Sequence, residues 1–343
     1  MKVLGFRRGA MSAFVAVAML VGCGGSQTPM GFPNNTETSV LKRNLSQAVA
    51  TSDSRPTERI ADTPDYEASG SLLFVTNSDG YNTAVTIYDA AINDPSPIAA
   101  ITEDLLDPFG DCIDGDGTLY VTNEPSSGLG WVSEYALGKT KPLRRITEGI
   151  DIPGYCAIDG QENLWVANVG GPTVTEYLKG STKPHTILKN GLTYPNSVAI
   201  DHAGNIYVGN VEPYGTSNVQ VFAPGSKSPS RTITDGVTWP EGIAVDANGA
   251  LYVPNYLQCD IEEYLAGKSK PYRTITGDLN APVDVTFAKN GWMYELNVGN
   301  QDCSGPAPVI LEFRPGSIKP SSRMISKELH GPEGIAYYPP ELP

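Results

Sequence analysis

Four side chains with oxygen donors, Asn196, Glu241, Asp284 and Glu333, stand where apolar runs begin, in PNSVAI, PEGIAV, PVDVTF and PEGIAY. Carboxylates and a carboxamide are the hard oxygen ligands that Ca²⁺ and Mg²⁺ take. A cation held that way activates water or polarises a carbonyl. The same four residues also suit a solvated polar lining that holds no ion. Seven aromatics, Phe109, Trp131, Tyr155, Tyr194, Tyr214, Trp239 and Tyr256, fall in or beside the loops that flank these runs. Aromatic faces beside carboxylates and amides suit stacking on sugar rings or gripping a peptide. Rings of this size also wedge between packed elements, where Tyr and Trp are often only partly buried.

Other chemistries lack parts. The chain has three histidines, His185, His202 and His330, too scattered for a zinc site or a Ser-His-Asp relay. DGDGT (114–118) has the look of a calcium loop but lacks the further ligands that complete one, so it is expected to be a turn. No glycine-rich phosphate loop leads from a strand into a helix. The formal charge of −14 repels phosphate backbones, so nucleic acid is not expected as a partner.

The elements that must position these residues repeat. Strands ending in Asn recur as LFVTN (73–77), LYVTN (119–123), LWVAN (164–168), IYVGN (206–210), LYVPN (251–255) and MYELN (293–297). A period in the forties with four short strands per unit is the mark of a β-propeller. Each unit carries an aromatic third strand (Tyr88, Tyr135, Tyr177, Phe222, Tyr264, Phe313) and a fourth strand after a Gly/Lys/Pro turn such as GKTKP. The first copy lacks an inner strand, and GPEGIAYY (331–338) is an inner strand without a following partner. The expectation is therefore an all-β, six-bladed β-propeller over 71–343, four antiparallel strands per blade, closed by the C-terminal strand joining the N-terminal blade. The low content of charged residues, 18%, and the 36 Gly and 28 Pro agree with a turn-rich β chain. The six Asn are each expected to cap their own turn, bonding backbone two residues on.

PEGIAVDANGALYVPN resembles the NHL repeat, and the ring resembles six-bladed NHL and gluconolactonase-type propellers over about residues 71–340. Where NHL repeats usually carry Asp after the second strand, all six copies here carry Asn. Such folds host substrate-binding platforms of ligases, lactonases, lyases and bacterial surface proteins, so the fold does not choose the function. The gluconolactonase resemblance implies a divalent cation at the channel mouth, with Asn196, Glu241, Asp284 and Glu333 as the available ligands. Their pattern does not match that family's motif residue by residue.

The N-terminus looks like an export signal. Lys2, Arg7 and Arg8 precede an apolar run ending in LVGC, which resembles a bacterial lipobox. By that resemblance residues 1–22 are removed, Cys23 is lipidated, and the protein is extracytoplasmic, anchored to the cell envelope. In a double-membraned bacterium, Gly24 after the cysteine looks like sorting to the outer membrane. Residues 23–70 are then the lipidated N-terminus and a flexible tether, polar and without a sustained period. Of the remaining cysteines, Cys259 and Cys303 fall in equivalent loops of neighbouring repeats and are expected to pair. Cys112 and Cys156 are one position out of register in their strands, which points them to opposite sheet faces, and are not expected to pair.

Strand direction places the crossover that begins each inner strand on the same side as the loop after each Asn. The Asp-x-x-Gly and Lys-bearing turns lie on the other side. Those turns are nearly uniform, whereas the loops after Asn differ widely, as a contact surface does. The expected function is thus a lipid-anchored, monomeric binding or scaffolding propeller that recognises a protein, peptide or glycan on the Asn side, without catalysis or cofactor. The alternative is a lactonase or related hydrolase dependent on Ca or Mg at the channel mouth.

Overall fold

The computed structural model describes residues 63, 65–68, 70–80, 82–212, 216–299, 303, 305–340 and 343. The leader and Cys23 lie outside the described residues, as does most of the segment up to 70. Among the described residues the backbone forms six four-stranded antiparallel sheets and no helix. The first blade takes Leu72–Ser78 (β1), Thr83–Asp89 (β2) and Ala99–Ile101 (β3). The second runs from the inside out as Pro108–Ile113 (β4), Leu119–Asn123 (β5), Trp131–Tyr135 (β6) and Pro142–Ile146 (β7). The third holds Pro153–Ile158 (β8), Leu164–Asn168 (β9), Thr173–Tyr177 (β10) and Thr186–Leu188 (β11). The fourth holds Pro195–Ile200 (β12), Ile206–Asn210 (β13), Asn218–Phe222 (β14) and Arg231–Ile233 (β15). Ala244–Val245 (β16), Leu251–Asn255 (β17), Asp260–Tyr264 (β18) and Arg273–Ile275 (β19) make the fifth. Pro282–Phe287 (β20), Met293–Asn297 (β21), Val309–Phe313 (β22) and Met324–Ile325 (β23) make the sixth. The last strand, Pro332–Tyr338 (β24), returns to the first blade and pairs with β1, with Leu73 opposite Tyr337 and Val75 opposite Ile335. The ring closes as the unpaired ends of the repeat pattern imply.

The core lies between blades rather than inside one. Each blade buries apolar side chains on both faces, so six clusters fill six seams. One seam sets Tyr120, Val132 and Ile146 of the second blade against Ile158, Leu164 and Val166 of the third. Stacking on both faces explains why the inner strands are continuously apolar.

Stacking also corrects the cysteine expectation. Cys112 lies opposite Tyr120, and Cys156 opposite Val166. They do occupy opposite faces of their own sheets. Successive blades stack the same way round, so opposite faces are the ones that meet, and Cys112 is joined to Cys156 by a disulfide with Cα atoms 5.8 Å apart. Cys259 and Cys303, in loops free of that parity, form a second disulfide.

In four of the six blades a third-strand tyrosine ties the blade to the crossover entering it. Tyr88, Tyr135, Tyr177 and Tyr264 are fully buried rings. Their hydroxyls donate to carbonyls of Lys327, Glu103, Glu148 and Asp235 at 2.6–2.7 Å. Thr63, Asp65 and Tyr66, within the segment expected to act as a tether, rest on the outer strands. Thr63 exchanges hydrogen bonds with the backbone of Ala100, and the Tyr66 N–H donates to Gly138 O at 3.1 Å.

Candidate functional site

The six Asn that end the second strands are all buried, at 0–1% exposure. Each Oδ1 accepts a backbone N–H from the crossover entering its own blade: His330, Leu106, Asp151, Thr193, Thr238 and Asn280, at 2.7–3.0 Å. The amide nitrogens of Asn77, Asn123 and Asn168 donate within the blade, that of Asn123 to Val121 O and Ser133 Oγ, while those of Asn255 and Asn297 donate to the crossover carbonyls of Gly236 and Asp278. The Asn therefore staple the crossover to the blade and do not cap their own turns. A carboxylate could accept the N–H but could not donate to Val121 O and Ser133 Oγ, which accounts physically for the amide.

At the axis, the inner strands bring together residues from blades far apart in sequence. Tyr155 of β8 crosses the channel mouth. Its hydroxyl lies 3.0 Å from Val283 O and 3.0 Å from Glu333 O, and its single proton serves either. Phe109 packs edge-on against its ring at 5.0 Å. Gly242 is needed here, because a Cβ would overlap both Asp284 Oδ1 and the Tyr155 ring. Its N–H donates across the seam to Val283 O at 2.7 Å, which draws the fifth blade's inner strand off its own sheet and leaves β16 two residues long.

Of the four expected oxygen ligands, Asn196 donates to Glu241 Oε2 at 2.7 Å, and Glu241 Oε1 accepts the Trp239 indole N–H at 3.0 Å. Asp284 accepts the backbone N–H groups of Val285 and Ile335. Glu333 is half-buried. Among the described residues no three His, Cys, Asp or Glu side chains gather closely enough to hold one ion. As placed, Asn196 and Glu241 are engaged with each other and Asp284 with backbone.

Two carboxylates near the axis escaped the sequence reading. Asp111 and Glu295 are buried, and among the described residues neither oxygen of either side chain has a hydrogen-bond partner. Burial first, then the charge of Asp284, pushes both well above the ordinary carboxylate range. Burial likewise raises Asp284. One signal was available: Glu295 occupies the central position of MYELN, where the five other copies carry Val.

Among the described residues the structure distributes six of the seven aromatics over two settings. Phe109 and Tyr155 seal the axis, while Trp239 and Tyr256 are buried with Val211, Ala281 and Val283, and Tyr194 packs partly against them. Tyr214 lies outside the described residues. Trp131 is half-exposed at the rim of the second blade. Its indole N–H donates to Ser133 Oγ at 2.9 Å, and the Arg145 guanidinium sits 4.2 Å above its ring while pairing with Asp104. Beside it the crossover and post-Asn loops of the second blade expose Leu106 and Leu129, at 48% and 63%. These two leucines were missed because isolated leucines in loops carry no sequence signal. The Asn side also exposes an acid at five of its six crossovers: Glu103, Glu148, Asp235, Asp278 and Glu328.

No family model and no curated protein matches the sequence. The chain is similar in structure to a protein of unknown function from Bacteroides caccae, with TM-score 0.61 and 15% identity over 78% of this chain and 99% of that one. It is also similar to a chain of the nidogen/laminin complex, with TM-score 0.64 and 15% identity over 78% of this chain and 98% of that one. At such identity the likeness is one of fold.

Proposed function

We propose that this protein is a binding or scaffolding propeller, held by a lipid on Cys23 to the extracytoplasmic side of a bacterial envelope, that takes a protein, peptide or glycan on the Asn side. The observation that carries the reading is the division of that side into a sealed centre and an apolar rim. Tyr155 spans the axis at the Asn-side mouth, and the cavity of about 150 Å³ along the axis is lined by Asp111, Asp284 and the inner strands. Leu106 and Leu129 are exposed on the two loops that flank the half-exposed Trp131, whose ring lies under the Arg145–Asp104 pair, apolar and charged side chains such as a docking surface uses. Two disulfides point to an oxidising or extracellular location, which agrees with export. The fold shared with a chain of the nidogen/laminin complex is a precedent for the architecture only.

A photo-crosslinking residue at position 129, introduced in living cells, tests the reading. It should give a discrete adduct that protease or glycosidase treatment assigns to a protein or a glycan. Trp131→Ala should weaken that adduct at least about tenfold, since a central aromatic anchor contributes on the order of 1–3 kcal/mol. A discrete protein or glycan adduct from position 227, on the opposite side, with none from 129, overturns the assignment of the face.

A further inference from the structure

We propose that the side opposite the Asn loops seats against an anionic lipid surface. The turns between third and fourth strands present Lys141, Lys183, Lys227, Lys268, Lys270 and Lys319 on five successive blades. All six are exposed, and none makes an ion pair among the described residues. On a chain of net charge −14 these lysines make a basic outer rim, while the acids of the same side, Asp114, Asp159, Asp201 and Asp246, belong to the turns between first and second strands, nearer the axis.

The same turns break the rule that a water-facing turn is polar. Leu178, Leu265 and Ile318 are exposed within them, and Leu143 and Tyr272, directly after Lys-Pro, are the most exposed at 60% and 62%. Lysines interleaved with apolar side chains on one rim are what an interface between anionic headgroups and acyl chains accepts. The Asn side exposes acids at five of its six crossovers, so charge and the interleaved apolar side chains together favour the lysine rim as the seat. A second observation is independent of composition. The N-terminal segment reaches the propeller at this rim, through Tyr66 N–H to Gly138 O and Lys139 to Asp65 at 2.7 Å. A chain arriving from a lipidated Cys23 would therefore bring the membrane to this side. That step rests on the anchoring reading above; the charge and apolar arguments do not.

The test is a lysine footprint on the full protein bound to vesicles of phosphatidylcholine, with and without phosphatidylglycerol, using a water-soluble amine reagent. With phosphatidylglycerol, Lys268 and Lys270 should react about tenfold more slowly than without it, each basic residue near an anionic surface contributing a factor of about five to adsorption. Lys189, on the Asn side, should not change. Lys268→Gln with Lys270→Gln, on a surface turn that the fold does not need, should lower low-salt binding to these vesicles at least about tenfold. Equal rates at all three lysines on both vesicle types overturn the proposal. Protection by an anionic polysaccharide, with none from phosphatidylglycerol, overturns it in favour of a glycan. Flotation with vesicles in high salt reads the lipid anchor separately: its loss there discards the anchoring reading, while the low-salt footprint still decides the seating surface.

Discussion

The two sides of the ring are built by the same strands, and both are fixed by a repeated polar side chain. On the lysine side Asp114, Asp159, Asp201 and Asp246 each accept backbone N–H groups two and four residues on, closing the turn on itself. On the other side the buried Asn reach into the crossovers. An Asx turn uses up its whole loop, so little is left to vary. The Asn fix only the base of the crossover and leave the loop that follows them unconstrained. Specialisation follows that freedom: the Asn side carries the exposed Leu106, Leu129 and Leu257, a sealed axis and acids at the crossovers. On the lysine side the repeat itself becomes the surface.

The largest test of this contrast removes what both sides share. Deleting residues 331–343 takes away β24, its pairing with β1 and one of the carbonyls that Tyr155 meets. Two apolar seams then open to water, and the protein should aggregate or fail to melt cooperatively. A truncated protein with an intact melting transition would show that the ring does not need this closure. Next come the two tryptophans. Trp239→Ala leaves a large cavity and removes the indole N–H that Glu241 Oε1 accepts. It should cost about 3–5 kcal/mol in denaturant unfolding. Trp131→Ala should cost little stability, and its effect should be read in the adduct from position 129. Equal losses of stability would erase the distinction between seam and surface.

A smaller effect compares the staples directly. Asn255→Ala removes hydrogen bonds to Thr238 N, Gly236 O and Asp260 Oδ1 in a buried site and should cost on the order of 2–3 kcal/mol. Asp246→Ala, whose turn is more open to water, should cost about 1 kcal/mol. A reversed order, measured by urea unfolding, would mean that the lysine side is the more strongly fixed of the two.

The fold was legible because every device that builds it is local and repeated: the strand ruler, the Asx turns, the third-strand aromatic. Contacts between blades were less so. The Cys112–Cys156 bond requires knowing that opposite faces meet, a property of stacked sheets and not of one strand. Tyr155 could be placed near the mouth, but its span to Val283 and Glu333, 128 and 178 residues away, has no trace in the repeat. The Asn were recognised as structural from their repetition, yet the partners of five lie 16–17 residues back and that of Asn77 is His330, all outside the window in which a capping rule operates. Composition pointed to rings as binding anchors. The structure instead spends Phe109, Tyr155, Trp239 and Tyr256 on packing, because a ring beside an apolar seam is drawn into it.

The smallest and most pointed prediction concerns the seal on the Asn side. Asp111, Asp284 and Glu295 are buried beside one another, and their raised affinity for protons arises first from burial. The folded state then binds protons that the unfolded chain, titrating near pH 4, has released. Stability from these groups is full below about pH 4 and declines as pH rises toward their folded values. Acid losses from lowered groups such as Asp65 and Asp94 begin only near the unfolded carboxylate range, so they leave the window above about pH 5 clear. The melting temperature should therefore rise as pH falls from about 8 to about 5, opposite to the usual acid response. Asp111→Asn keeps the shape and removes one of these protons from the balance. It should stabilise the protein at pH 8 and flatten the slope by up to about 1.4 kcal/mol per pH unit. Lys268 lies in an exposed turn between β18 and β19 on the opposite side, so Lys268→Gln should leave that slope unchanged. If Asp111→Asn destabilises at pH 8 and leaves the slope intact, the carboxylate is ionised and compensated, and the axis is not the strained, proton-holding centre that sets this side apart.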